Sequence, residues 1–154
     1  MKKIILFITL IITTFSCKEQ DTINLNELTV NGIVVIGKNK SVLISNFGQP
    51  YKIEKEFSKM DNIDMLIYKY KGAVFYVVKN LIKYYEITDN SYYLTKHNIK
   101  VGDNIEKLKD IYPLSYSKKS RTHLSLEIQK YDMYEIFHHN STTKKITLIR
   151  TGHY

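Results

Sequence analysis

The sequence predicts an α+β fold: two helix-plus-antiparallel-meander repeats forming a layered sheet with the helices on one face. Three observations predict it. A pattern of apolar residue, glycine, polar cap, short amphipathic helix and stop occurs twice, starting near Ile36 and near Val101. Each copy is followed by three runs rich in β-branched and aromatic residues, separated by turn signals. Helices this short bury their apolar stripe by lying on a sheet.

The chain opens with Lys2 and Lys3, an uncharged and mostly apolar run from Ile4 to Phe15, and the small residue Ser16 before Cys17. That is the order of a secretory signal, so residues 1–16 are expected to be removed. As a helix the run spans roughly 18 Å, against a hydrocarbon core of roughly 30 Å, too short for a comfortable transmembrane anchor. Cys17 is the only cysteine. No internal disulfide is available to it, and a leftover thiol in an exported chain needs a reason. An ordinary cleaved signal with an incidental cysteine, or a buried apolar helix, is the alternative.

Thr14-Phe15-Ser16-Cys17 resembles the lipobox of bacterial lipoproteins, departing from the commonest form at Thr14 and Phe15. Relaxed boxes of this kind resemble those of Bacteroidota, and Lys18-Glu19-Gln20-Asp21 resembles the acidic export signal of some of their surface lipoproteins. The resemblance implies lipidation at Cys17 and a membrane partner through that N-terminal lipid. It also implies an outer-membrane location, on the periplasmic or the cell-surface side. More than one acyl chain gives stable anchoring. Residues 17–27 then read as lipidated N-terminus and polar tether, and 28–154 as the α+β domain, its repeats at about 28–95 and 98–154.

Net charge is +8, two units lower once Lys2 and Lys3 are removed. Arg121 and Arg150 are the only arginines, so bidentate readers of base or phosphate are scarce and no nucleic-acid partner is expected. A basic face resting near anionic envelope components fits better. The wealth of Ile, Lys, Asn and Tyr, with Ala73 the only alanine, is the bias of an AT-rich genome.

Aligning Gly37 with Gly102 sets Leu43 on Leu108 and Phe47 on Tyr112, and a two-residue gap brings Pro50 onto Pro113. The first helix ends at Gly48, a left-handed cap, with Pro50 beyond. In the second, Asp103 as N-cap with Glu106 makes a capping box, Ile105, Leu108 and Tyr112 share a face, and Pro113 stops the helix. Strands are expected at Met65 to Tyr70, Ala73 to Val78 and Leu81 to Ile87, then at Thr122 to Lys130, Met133 to His138 and Lys144 to Ile149. A further strand around Leu28 to Ile36 precedes the first helix.

Gly37, the helix through Phe47, Gly48-Gln49-Pro50, Tyr68-Lys69-Tyr70 and the hairpin from Phe75 through Lys79-Asn80 to Ile87 resemble the tandem repeat of β-lactamase inhibitor proteins and of the BamE/SmpA lipoproteins. The second copy lacks the glycine before its proline and the chain has no tryptophan. The resemblance implies a protein-binding role, as assembly accessory, inhibitor or immunity factor.

No nucleophile elbow, phosphate-cradling glycine loop or Cys-x-x-Cys pair occurs, so no enzyme, catalytic residue, cofactor or metal is expected. His138 and His139 would point to opposite faces of a strand; in a turn, with Asp132 and Glu135, they would form a ligand set. His97, His123 and His153 have no partner at ligand spacing. Asp61/Asp64 and Glu54/Glu56 lie in a Lys-rich stretch read as a solvated loop with weak surface pairs. Tyrosines crowd the expected strands. Sheet packing explains them, or else a face that offers Tyr68, Tyr70, Tyr76 and Tyr84 to an envelope or secreted protein. The alternative is a saccharide or other small ligand stacked on those rings.

Overall fold

The computed structural model describes residues 20–58 and 62–153. The signal segment, Cys17 and Asp61 lie outside them. Strands β1 (Thr22–Ile23), β4 (Lys52–Ser58), β5 (Ile63–Tyr70), β6 (Ala73–Val78), β7 (Leu81–Ile87), β8 (His123–Ile128), β9 (Tyr134–His139) and β10 (Ile146–Gly152) form one sheet. Its order is β1-β8-β9-β10-β7-β6-β5-β4. All neighbours are antiparallel except β1, which runs parallel to β8. A separate hairpin, β2 (Thr29–Val30) and β3 (Ile33–Val34), turns at Asn31-Gly32. Helices are α1 (Ser41–Phe47) and α2 (Pro113–Ser117), with single 3-10 turns at Leu25–Glu27 and Ile105–Leu108. No helix among the described residues is long and apolar enough to cross a membrane.

This corrects the predicted fold class. The chain does not build two helix-on-sheet repeats; it builds one large mixed sheet of eight strands with two short helices. The reasons are local. The expected second helix closes as a 3-10 turn whose N-cap is Asn104, its side chain accepting from the Glu106 N–H at 3.0 Å. Asp103 instead accepts from the Lys100 N–H and the Lys107 ammonium. Tyr112 then leaves helical geometry (ψ 66°), and Pro113 opens α2 at its first turn rather than stopping a helix. The stretch read as a solvated loop is β4. The described part of the expected tether, 20–27, packs on the body: β1 pairs with β8, the Asp21 N–H donates to Ser115 Oγ at 2.9 Å, and the Ser115 N–H donates to Asp21 Oδ2 at 2.9 Å.

The two Gly-led segments nevertheless dock alike on that single sheet. Gly37 N–H donates to the Ile82 carbonyl, and Ile82 N–H to the Lys38 carbonyl. Gly102 and Asp103 make the same pair of bonds with Ile146, all four at 2.8 Å. Both glycines have positive φ (76° and 92°), which a side chain would strain.

Strand parity divides the sheet into two faces. One carries Tyr68, Tyr70, Phe75, Val77, Ile82, Tyr85, Ile87, Ile149, Phe137, Leu124, Leu126 and Ile128, all in the main core. Leu28, Val30, Leu43, Leu94, Ile99, Ile105 and Leu108 from the non-sheet segments close over it. An irregularity opposite Tyr76/Val77 sets both Ile82 and Tyr85 inward. Phe47 of α1 stacks on Phe75 (centroids 5.5 Å apart), and Phe75 meets Tyr70 and Tyr85 edge-on.

Candidate functional site

The four tyrosines singled out in the sequence separate onto the two faces. Tyr68 and Tyr70 are 4% and 6% exposed in the core, the Tyr70 O–H donating to the Gly48 carbonyl at 3.1 Å. Tyr70 holds α1 to the sheet, and at this burial neither ring is open to a partner. Tyr76 and Tyr84 sit opposite each other on β6 and β7, half-buried on the other face. Burial, and then the neighbouring Glu86 carboxylate, push the Tyr76 phenol up to about 12.

This second face is mixed: Ile67 and Ile136 are buried on it, among paired polar groups. Glu54 on β4 lies between the ammonium groups of Lys52 (2.7 Å) and Lys69 (2.6 Å), which hold its carboxyl down at about 2. The Asp64–Lys55 pair, at 2.8 Å, lies instead on the core side of the β4 edge. Across the second face, Tyr84 Oη meets His153 Nε2 at 3.1 Å. On β10, Arg150 Nε donates to His138 Nε2 at 3.2 Å. Guanidinium nitrogen is always a donor, so that ring nitrogen accepts and His138 is neutral with its proton on Nδ1. Burial, then Arg150, then His123 and His139, lower its pKa. His123, opposite on β8, brings its ring centroid to 6.0 Å from that of His138. An arginine at its second nitrogen makes His138 a poor cation ligand. Among the described residues no three His, Cys, Asp or Glu gather as a metal set.

His139 points to the opposite face, as its parity requires, and is buried. Glu135 lies on the same side of β9, fully buried between Leu126 and Thr151. The Tyr85 O–H donates to its Oε2 at 2.9 Å, while Oε1 has no partner among the described residues. Desolvation outweighs that single hydrogen bond and raises the carboxyl well above its ordinary range, so it is buried as the neutral acid. Sequence reasoning missed this pair; the signal was a glutamate sharing the parity of Phe137.

It also missed the sheet edge. β4 has a neighbour on one side only. Tyr51, Ile53 and Phe57, at alternate positions on the core side, are 71%, 51% and 52% exposed. The groove beside Phe57 also takes in Ile63, Leu66 and Val77. A second groove of about 320 Å³ is lined by Tyr84, Tyr131, Lys83, Asp132, Met133 and His153.

No protein-family model matches the sequence, and no curated protein matches it. Solved structures share its fold. One is an extracellular protein containing an SCP domain from Bacillus anthracis str. Ames, with 10% identity and a TM-score of 0.54 over 77% of this chain and 44% of that one. Another is a cysteine-rich secretory protein from Staphylococcus aureus subsp. aureus Mu50, with 13% identity and a TM-score of 0.52 over 88% of this chain and 50% of that one. The chain thus spans about half the length of these structures. At such identities the likeness is one of fold alone.

Proposed function

We propose that the chain is a lipid-anchored cell-envelope protein that binds another protein and catalyses no reaction, serving as an assembly accessory, inhibitor or immunity factor. The observation that carries this reading is β4. Its outer edge has no neighbouring strand among the described residues, and three large apolar side chains stand exposed along one side. Natural sheets shield such edges or use them, and an extended segment of a partner adds there as one more strand. Backbone hydrogen bonds would supply affinity, and Ile53 and Phe57 would select the partner's side chains. The export signal supports an envelope site of action. So do the solved neighbours, one an extracellular and one a secretory protein.

The anchor is tested by labelled palmitate, which the wild type takes up and a Cys17→Ser variant does not; equal labelling removes the lipid. The partner is tested by pull-down from solubilised envelopes with wild type and with an Ile53→Lys/Phe57→Lys variant. One protein recovered by the first and lost by the second supports the reading. Recovery of none, alongside binding of a saccharide at Tyr84 and Tyr131, replaces it with the saccharide-binding alternative.

A further inference from the structure

The first described residue lies beside a pocket. Gln20 forms part of the rim of a recess of about 90 Å³, with Ser115, Lys118, Lys119 and His123 around it. The recess is small and polar, sized for a few waters or a compact polar group rather than an extended ligand. The lining is polar and positive. Between Asp110 and Glu127 the sequence carries Lys118, Lys119, Arg121 and His123 and no acidic residue. Among the described residues none of the three permanent cations forms an ion pair; Lys119 lies over the Tyr116 ring, 4.1 Å from its centroid. Asp21, next to Gln20, has its carboxylate committed to the Ser115 amide.

The position of this recess gives it meaning. Cys17 stands three residues before Gln20, so their Cα atoms lie at most about 11 Å apart whatever path the chain takes. A lipid on Cys17 therefore holds the recess at the headgroup layer. We propose that the pocket seats the phosphate of an anionic lipid headgroup, and that Lys118, Lys119 and Arg121 dock the body on the membrane that holds the anchor. The proposal rests on the lipid-anchor reading, and its test is independent of acylation. One acyl signal plus a basic patch is a physically sufficient pair for stable attachment.

The test uses the mature chain, residues 17–154 with Cys17→Ser, which carries neither signal nor lipid, sedimented with phosphatidylcholine vesicles or with mixed phosphatidylglycerol/phosphatidylcholine vesicles. The expected result is a preference for the anionic vesicles that falls about fivefold for each cation removed, roughly a hundredfold in Lys118→Gln/Lys119→Gln/Arg121→Gln. A control that removes three exposed lysines elsewhere, Lys38→Gln/Lys79→Gln/Lys83→Gln, keeps most of the preference. Inorganic phosphate displaces the wild type more effectively than chloride of equal ionic strength. Equal binding to both vesicle types overturns the proposal, as does an equal loss in the control. Saturable binding of inorganic phosphate without any vesicle preference also overturns it, leaving a site for free phosphate. A failed palmitate label with intact vesicle preference removes the anchor and leaves the pocket.

Discussion

Replacing Glu135 with glutamine is expected to flatten the pH dependence of stability. Glu135 is 0% exposed, has one hydrogen bond from Tyr85 and one oxygen without a partner among the described residues. Its folded pKa is raised well above the ordinary 4.5. Below that ordinary value both folded and unfolded chains hold the proton, and the group imposes no pH-dependent cost. As pH rises, the unfolded chain ionises in water while the folded chain must keep its proton. Each further pH unit then favours unfolding by a little over 1 kcal/mol, until the folded pKa is reached. The loss accumulates with each pH unit until the folded carboxyl ionises, and a total stability of roughly 5–15 kcal/mol makes it measurable. Glutamine keeps the volume and an acceptor for Tyr85 but cannot ionise. Urea unfolding of both proteins at pH 5, 6 and 7 isolates the effect, because every other titrating group is shared. The difference between the two stabilities should be smallest at pH 5 and widen toward pH 7 in the variant's favour. Parallel pH profiles would refute the assignment of a neutral buried acid.

Four other outcomes are expected. Phe75→Ala removes the ring on which Phe47, Tyr70 and Tyr85 converge and should cost about 3–5 kcal/mol in urea unfolding; a cost below about 1 kcal/mol would contradict that packing. Gly72→Ala forces a side chain onto a residue at φ 76° whose Cβ would overlap the Asp89 side chain, so it should destabilise by more than about 1 kcal/mol in the same assay. Arg150→Gln removes a cation beside His138, whose imidazole NMR titration should shift upward yet stop short of the ordinary value, because burial is the larger cause. Ser115→Ala deletes the acceptor of the Asp21 amide and should cost about 1 kcal/mol, with faster hydrogen exchange at Asp21 than at core amides.

The sequence was most readable where local chemistry and tertiary demand agree. Strands β6 and β7 begin and end at the predicted residues, because Gly72, Lys79 and Asn80 take the positive φ their turns need and the intervening rows are aromatic and β-branched. β4 escaped notice because Glu54, Lys55 and Glu56 mask the alternation of Ile53 and Phe57 in an edge strand exposed on both sides. Pro113 was ambiguous in principle: a residue without an N–H serves a helix start as well as a stop, and only the extended Tyr112 before it decides. β1, two residues long, has no period to detect; its pairing with β8 belongs to tertiary structure. The tyrosines were legible as strand formers. Their sidedness was not, since one register step exchanges core and surface.

The parallel pairing of β1 with β8 has a mechanical consequence. It sets the N-terminal end of the described chain at one margin of the sheet and leaves β4 at the other, seven strand spacings away. At roughly 4.8 Å per spacing, the two margins stand at most about 34 Å apart, somewhat less with twist. With Cys17 acylated, the sheet becomes a short mast stepped on its β1 margin, its free rail carried outward past the headgroups. A partner strand would then meet that rail beyond the reach of most membrane-hugging neighbours, at a height fixed by the number of strands between.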